Sequence, residues 1–270
     1  VGRCDRINSC GYWNRPDENN NNNFYKKNGD VKVIEKKHLY IDFKYVMYTN
    51  RQVINSKLYT FLSNKFDKTH VFNMLNLYKI GFYKNYDTIP YININGEVAT
   101  IQCKLFDNNL HTIKNTWLHN LVKNSDMEKY KDNERFVTCF FGEHLLKNDN
   151  YKYVCIAEAP KTAIVCSIVN YLPQSVWLAS FNCTGLTDEK FENIIKHNNF
   201  KNKTFILFPD TSPDGHVYND WKKFCLSQKS KNKVNIFVDD FLEKNLPKEK
   251  RDKGWDLADY ILEKINNNNN

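Results

Sequence analysis

The sequence contains no long apolar run and no glycine-rich loop of the kind that holds phosphates. No stretch of 18 apolar residues occurs, so we expect no membrane-spanning helix. A Walker-type lysine–serine pattern is also missing, which argues against an autonomous ATPase. No secretory signal is recognisable, and we expect a cytoplasmic protein whose eight cysteines are reduced. Five of them sit among apolar residues and are predicted to be buried: Cys103, Cys139, Cys155, Cys166 and Cys225.

The charge balance is basic, but it does not by itself identify a partner. Lysine and arginine number 39 against 31 aspartates and glutamates, which gives a net charge of +8. A basic protein suits a polyanion such as nucleic acid. The same excess also suits a composition that is rich in lysine and asparagine throughout. Both interpretations stay open, because eight charges spread over 270 residues do not make a patch.

Changes in residue composition and in the spacing of apolar residues along the chain predict four segments. Residues 1–30 are polar and asparagine-rich, and the chain begins with Val1, so we expect a preceding N-terminal piece. Residues 31–147 mix helical spacing with a hairpin centred on Asn95-Gly96, which predicts a smaller α+β region. Residues 148–265 alternate strand and helix four times, and residues 266–270 are an asparagine run that we expect to be a disordered tail. The alternation predicts an α/β fold with a mostly parallel four-stranded sheet and flanking helices.

Acidic residues recur where the strands of the predicted parallel sheet end. Glu158 follows the first strand, Asp210 follows the third, and Asp239-Asp240 lie inside the fourth. Right-handed crossovers bring the carboxyl ends of such strands to one edge. Converging carboxylates there suit Mg²⁺ or Mn²⁺, which in turn can hold phosphates for an in-line displacement. An acid at the end of a strand also serves as a turn or cap residue, and this alternative stays open.

Several stretches in this second half resemble a known domain. IAEAPKTA, LASFN, ILFPDTSPDG and KGWDLADYIL are similar to the toprim domain of primases, topoisomerases and some nucleases. Upstream, NMLNLYKIGFYKNYDTIPYININGEVATIQCKLFD, TWLH and CFFGEHLL resemble primase-like proteins of bacterial mobile elements, which are known mainly as a domain of unknown function. The resemblance covers residues 55–264 and the opening VGRCDRINSCGYW. It implies a Rossmann-like toprim domain at 148–265, preceded by a primase-like α+β region at 31–147.

The resemblance also implies roles for individual residues. Glu158 matches the toprim glutamate, which acts as general acid, general base or metal ligand. Lys161 matches the basic residue of the same motif, and as a second catalytic residue it would neutralise phosphate charge. Asp210 matches the first aspartate of the Asp-x-Asp metal motif, but Ser212 stands at the second position, and Asp214 could substitute for it. Two further acids match the aspartate-rich closing segment, although each is also suited to the start of a helix: Asp256 and Asp259.

The function that the resemblance implies is Mg²⁺-dependent nucleotidyl or phosphoryl transfer in DNA replication. Its partners would be nucleic acid, with single-stranded DNA favoured, and a helicase or another replication protein. Two alternatives stay open. One is a degenerate toprim module that binds DNA without catalysis, which the departure at Ser212 favours. The other is a toprim nuclease.

The opening segment carries Cys4 and Cys10, separated by five residues. A zinc ribbon needs four ligands, usually in two short-spaced pairs, so this pair is half a site. By the resemblance it matches the second half of an N-terminal zinc ribbon, with residues 1–30 as its remnant and linker. The alternative is two exposed cysteines on a terminus.

Lysines and tyrosines interleave just before the predicted hairpin. Lys79, Lys84 and Tyr86 belong to this stretch. Rings on which bases stack and lysines that follow the phosphates suit single-stranded nucleic acid. An ordinary hairpin surface has the same composition, so both interpretations stay open.

Overall fold

A computed structural model describes residues 39–122, 125–130, 139–196, 200 and 202–268, together with the backbone of residues 2–3 and 13–14. The chain forms two compact units, residues 1–37 and residues 38–270. In the first unit, strands β1 (Gly2–Arg3) and β2 (Trp13–Asn14) pair antiparallel. Cys4 and Cys10 lie outside the described residues, so the half zinc site stays a prediction.

The second unit begins with an antiparallel sheet in the order β3-β4-β5-β6. Its strands are β3 (Gly81–Tyr83), β4 (Tyr86–Ile92), β5 (Val98–Phe106) and β6 (Thr112–Trp117). The predicted hairpin is the β4–β5 pair, and Asn95-Gly96 lies in the loop that connects the two strands. Asn93 shapes this loop, since its Oδ1 accepts the backbone N–H groups of Asn95 (3.0 Å) and Glu97 (2.9 Å). Gly96 has a φ of +90°, which only glycine adopts without strain.

Helices cover both faces of this first sheet, and two of them have clear N-terminal caps. Ser56 Oγ accepts the Tyr59 N–H (3.0 Å), and Asp67 Oδ1 accepts the His70 N–H (2.8 Å). Such caps satisfy donors that the first turn leaves unpaired. The helices are α1 (Lys44–Asn50), α2 (Lys57–Ser63), α3 (Lys68–Leu77), α4 (Leu118–Leu121) and α5 (Ser125–Glu128).

The second sheet has the order β10-β9-β7-β8, and all its strands are parallel, which confirms the predicted α/β fold class. Its strands are β7 (Tyr153–Ala157), β8 (Ser175–Ala179), β9 (Thr204–Phe208) and β10 (Asn235–Val238). Six helices connect and flank them: α6 (Pro160–Ile168), α7 (Asp188–Ile195), α8 (His216–Asn232), α9 (Phe241–Asn245), α10 (Lys248–Arg251) and α11 (Leu257–Asn268).

Two boundaries differ from the sequence prediction. The fourth strand ends at Val238, so Asp239 and Asp240 follow it instead of lying inside it. Asp239 Oδ1 accepts the Phe241 N–H (3.0 Å) and thereby helps to begin α9, a helix that apolar alternation did not predict. The last helix extends to Asn268, so residues 266–268 continue α11.

Aromatic side chains join the two sheets into one core. Tyr78 from the end of α3 stacks on Phe141 (ring centroids 5.0 Å apart), which packs edge-on against Tyr91 of β4 (6.1 Å). The Tyr78 hydroxyl donates to the Trp177 carbonyl of β8 (2.8 Å). Phe141 also exchanges backbone hydrogen bonds with Ala179, the last residue of β8. Because this core is continuous, the first sheet is held against the carboxyl end of the second.

A turn beside Phe141 tightens this connection. Gly142 has a φ of +79°, and a Cβ there would lie 2.9 Å from the Trp177 carbonyl oxygen. The buried Glu143 carboxylate then accepts the backbone N–H groups of Ile94 (3.0 Å) and Phe140 (2.9 Å). Its position ties the β4–β5 loop to the chain that enters β7.

Two expectations from composition can be compared with the described residues. The five cysteines predicted to be buried are buried there: Cys103, Cys139, Cys155, Cys166 and Cys225. Within the part of the chain that the structure describes, no helix is long and apolar enough to cross a membrane.

Candidate active site

Two acidic side chains meet at the carboxyl edge of the parallel sheet. Strands β7 and β9 are neighbours, with Ala157 opposite Phe208 at their ends. Glu158 is the next residue after β7, and Asp210 stands two residues after β9. The Asp210 backbone N–H donates to Glu158 Oε1 (3.2 Å), so the structure brings the two acids together.

Burial and mutual repulsion disfavour the charged forms of this pair. Glu158 is only 7% exposed to solvent. Burial raises the pKa of Glu158 to about 7, the Asp210 N–H opposes that rise, and the charge of Asp256 adds to it. Burial and then the charge of Glu158 raise the pKa of Asp210 well above its ordinary value. No ion pair to either carboxyl occurs among the described residues, although the charge of Lys161 opposes the rise in the pKa of Asp210.

Lys161 holds two other acids at the same edge. Its ammonium lies 3.2 Å from Asp256 Oδ2 and 2.8 Å from Asp259 Oδ1. Burial disfavours the ammonium, but the two carboxylates outweigh burial and raise the pKa of Lys161. The lysine is half a turn into α6, whose first residue is Pro160, a residue suited to that position.

Asp256 and Asp259 also cap the helix that they begin. The Asp259 N–H donates to Asp256 Oδ1 (2.8 Å), and the Asp256 N–H donates to Asp259 Oδ2 (3.3 Å). This reciprocal arrangement is a capping box. Asp256 and Asp259 therefore act as acids at the start of a helix, as their hydrogen bonds show. Their ion pairs to Lys161 also place them at the edge of the sheet where Glu158 and Asp210 lie.

Ser212, which stands where the resemblance predicts a second aspartate, stabilises the start of a helix. Ser212 is buried, and its Oγ accepts the Val217 N–H (3.3 Å) in the first turn of α8. Asp214 is exposed and lies beside His216, with 2.6 Å between its Oδ1 and the ring Nδ1. The structure therefore does not bring Asp214 into contact with Glu158 or Asp210.

The first sheet contributes a lysine that the sequence analysis missed. Lys104 lies on β5, and burial together with the charge of Lys161 lowers its pKa to about 8, although Asp256 and Asp210 act in the opposite direction. Within the described part of the chain, its ammonium has no hydrogen bond or ion pair. One signal was present, since Thr100, Gln102 and Lys104 alternate along a strand and must share a face. Sequence alone could not say that this face is turned towards the acids.

The arrangement suits a single divalent cation better than a preformed metal cluster. Among the residues described, no group of three or more His, Cys, Asp or Glu side chains is placed to hold a metal ion. Asp256 and Asp259 are committed to Lys161, which leaves Glu158 and Asp210. Mg²⁺ is commonly held by one or two carboxylates and completed by substrate phosphates. Four carboxyls against two ammoniums, Lys161 and Lys104, leave negative charge for such an ion to balance.

The three residues predicted to contact nucleic acid lie beside strand β3 and at the start of β4. Lys79 lies before β3, and Lys84 follows it, so the strand separates them. The Lys84 ammonium donates to the Leu121 carbonyl (3.3 Å) and lies 5.2 Å from the Tyr83 ring centroid. Tyr86 is half-buried at the start of β4. Their role in nucleic-acid binding stays a prediction.

Comparison with known proteins gives one family and several related structures. The family described as Domain of unknown function (DUF6371) matches residues 56–211, more than half of the chain. No curated protein sequence matches significantly. The solved structure of the DnaG catalytic core is similar at 11% identity and a TM-score of 0.50, covering 82% of this chain and 73% of that one.

Two further structures are similar at lower scores. The DnaG primase catalytic domain bound to single-stranded DNA has 10% identity and a TM-score of 0.48, with 82% of each chain covered. The primase fragment of the bacteriophage T7 primase-helicase has 15% identity and a TM-score of 0.38, covering 61% of this chain. The chain spans 58% of the length of that T7 fragment. At such identities, the likeness to the DnaG core shows a shared fold alone.

Proposed function

We propose that this chain, which belongs to the DUF6371 family, binds nucleic acid and transfers nucleotidyl or phosphoryl groups in the manner of a primase. The observation that carries the proposal is the meeting of the buried Glu158 with the half-buried Asp210 at the carboxyl edge of a parallel sheet. A shared fold with the DnaG catalytic core supports it. The proposal includes the toprim character of residues 148–265 and a primase-like role for residues 31–147.

In this proposal, the residues at the carboxyl edge of the parallel sheet have different roles in binding a triphosphate. Glu158 and Asp210 are the ligands of Mg²⁺ or Mn²⁺, which when bound neutralises phosphate charge during an in-line displacement. Lys104 supplies an ammonium from the opposite sheet, and it has no partner among the described residues that it would have to give up. Lys161 is held by Asp256 and Asp259, so it positions the acids and contributes a fixed positive charge behind them.

The wider setting is also part of the proposal. A primase-like protein of a mobile element would work on single-stranded DNA and beside a helicase or other replication partner. Cys4 and Cys10 would supply two of the four ligands of a zinc ribbon. Lys79, Lys84 and Tyr86 would contact the nucleic acid strand.

The test separates synthesis from cleavage. Purified protein is incubated with single-stranded DNA, nucleoside triphosphates and Mg²⁺, and both labelled primers and cleaved template are followed. We expect template-dependent incorporation, which Glu158→Gln abolishes while its circular dichroism spectrum is unchanged. The matched control is Glu97→Gln, an exposed acid on the β4–β5 loop, which should retain full activity. Strand cleavage without incorporation would favour the toprim nuclease, and full activity in Glu158→Gln would exclude both catalytic functions.

A second candidate is a degenerate module that binds DNA without catalysis. Its supporting observation is that Ser212 accepts the Val217 N–H in the first turn of α8, while Asp256 and Asp259 are paired with Lys161. This candidate predicts DNA binding that is the same in wild type and in Glu158→Gln, with no incorporation and no cleavage in either.

A further inference from the structure

The face of the first sheet that is turned towards the acids carries a second set of polar and aromatic groups. On β5, Gln102 precedes Lys104 by two residues, so both side chains point to the same face, about 7 Å apart. Trp117 of β6 lies directly opposite Gln102 in the strand register. Cross-strand partners also share a face. Gln102 and Trp117 therefore lie on the side of the sheet from which Lys104 faces the acids.

Gln102 is a buried amide with unused hydrogen-bonding capacity. The residue is 2% exposed. Among the described residues its only side-chain hydrogen bond is a long one, which Oε1 accepts from the Tyr91 hydroxyl at 3.5 Å. Its Nε2 donates to no group there. A ligand that supplies an acceptor would satisfy this donor. The edge of a nucleobase offers such acceptors and donors side by side.

Phe181 connects this face with the acid pair. It follows β8, and its backbone N–H donates to the Glu158 carbonyl (3.1 Å). Its φ is +95°, a strained conformation for an aromatic residue. Strain of this kind concentrates at ligand clamps and active sites. The Phe181 ring lies parallel to Trp117, with centroids 5.8 Å apart and 14° between the planes.

The two rings form a half-exposed aromatic wall beside the acids. Both residues are only partly buried. A centroid separation of 5.8 Å places the rings in an offset arrangement. Trp117 also lies parallel to His119, with centroids 6.4 Å apart, and Phe181 packs edge-on against Tyr91 at 5.8 Å. The ring surface that a planar base would cover is therefore the part of these two half-exposed rings that their neighbours leave accessible. Aromatic walls of this type hold bases by stacking, which tolerates any base, and an amide at the rim can then select among them.

We infer that Trp117, Phe181 and Gln102 form a nucleobase pocket. The base of a nucleoside triphosphate stacks on the two rings and contacts the Gln102 amide, while the phosphates of the same nucleotide reach Lys104 and the acid pair. This inference rests on the proposed function, because it uses the same cleft, and it adds the part of the substrate that the acids do not contact. The pocket recognises the base and the acid edge recognises the phosphates.

Binding measurements can separate the two parts. The affinities of ATP, GTP, CTP and UTP are compared with that of inorganic triphosphate, all with Mg²⁺ and the full chain. We expect the nucleotides to bind on the order of tenfold more tightly than triphosphate, since the stacking of one base contributes a factor of that order. Trp117→Leu should remove most of this advantage and leave triphosphate binding unchanged. Gln102→Leu should change the order of preference among the four nucleotides.

Two controls protect the interpretation. Ile113→Ala alters an exposed residue of the same strand β6 and should change neither affinity. Trp117→Phe keeps a ring, so it should retain the nucleotide advantage even where Trp117→Leu fails to fold.

Three outcomes would contradict the inference. Equal binding of nucleotides and triphosphate to wild type would overturn the pocket and leave the phosphate site standing. A nucleotide advantage that persists in Trp117→Leu would show that the rings only pack the two sheets together. Absence of binding by nucleotides and triphosphate alike would overturn the proposed function as well as the pocket.

Discussion

Replacing Lys161 with methionine should destabilise the protein strongly, because it leaves the buried Asp256 and the partly buried Asp259 without their cation. The Lys161 side chain is 15% exposed, and those of Asp256 and Asp259 are 7% and 32% exposed. Removing one partner of a buried ion pair typically costs 3–5 kcal/mol. Since Asp259 is about one-third exposed, water screens part of the repulsion. We therefore expect a loss of roughly 2–4 kcal/mol in the free energy of unfolding at pH 8.

The pH dependence of this loss follows from the neighbouring acids. The pKa of Glu158 is raised to about 7, and that of Asp210 is raised as well. At pH 8 Glu158 is largely ionised and repels Asp256, whereas at pH 5 Glu158 is protonated and this repulsion is lost. The loss caused by Lys161→Met should therefore shrink as the pH is lowered from 8 to 5.

Urea unfolding followed by circular dichroism measures both effects. The matched control is Lys244→Met, which removes an exposed lysine that pairs with Asp240 four residues earlier and should behave like wild type. Addition of Mg²⁺ at pH 8 should restore part of the stability of Lys161→Met, because a cation then faces the unbalanced acids. A loss no larger than that of Lys244→Met, or one that does not change with pH, would refute this description of the site.

Three further predictions concern other parts of the second unit. Burial raises the pKa of Glu143 to about 7, so the stability that its protonated form provides is present below its ordinary pKa and is lost as the pH rises through 7. Relative to Glu143→Gln, wild type should therefore lose up to roughly 3 kcal/mol of unfolding free energy between pH 4.5 and 8. The control variant Glu97→Gln should show no such difference from wild type. Lys104→Met should weaken binding of inorganic triphosphate severalfold at pH 7. This difference should diminish above pH 8, because the pKa of Lys104 is lowered to about 8 and the lysine is then neutral in wild type. A difference that grows with pH would contradict the placement of its ammonium. Gly142→Ala should cost about 1–3 kcal/mol in urea unfolding, because φ is +79° there and the new Cβ would approach the Trp177 carbonyl to 2.9 Å; a stability equal to wild type would contradict the tight turn.

The parallel sheet could be predicted because its signals are local. Each of its strands is a short apolar run, and each of the first three helices after them begins with a recognisable feature, such as Pro160 or the Thr187 cap, whose side chain accepts the Lys190 N–H. The alternation of these elements leaves few possible topologies. The meeting of Glu158 and Asp210 follows from that topology, since residues after adjacent parallel strands lie at one edge.

The missed features depend on contacts between distant segments. Nothing in the sequence around Lys104 indicates that a strand of the first sheet faces acids more than 50 residues away. The short helix α9 begins because the Asp239 side chain accepts the Phe241 N–H, a local event that interrupts an apolar run otherwise typical of a strand. The task of Ser212 likewise depends on where α8 begins, so the departure from the Asp-x-Asp pattern could be seen in the sequence but not explained.

The most direct test of the central claim is the binding of Mg²⁺ or Mn²⁺ by calorimetry, in the presence of inorganic triphosphate, to wild type and to the double variant Glu158→Gln/Asp210→Asn. If these two carboxyls hold the cation, wild type binds the metal with triphosphate and the double variant, folded by circular dichroism, does not. Metal binding that persists in the double variant, or that is missing from wild type, would contradict the claim that this acid pair is a divalent-cation site.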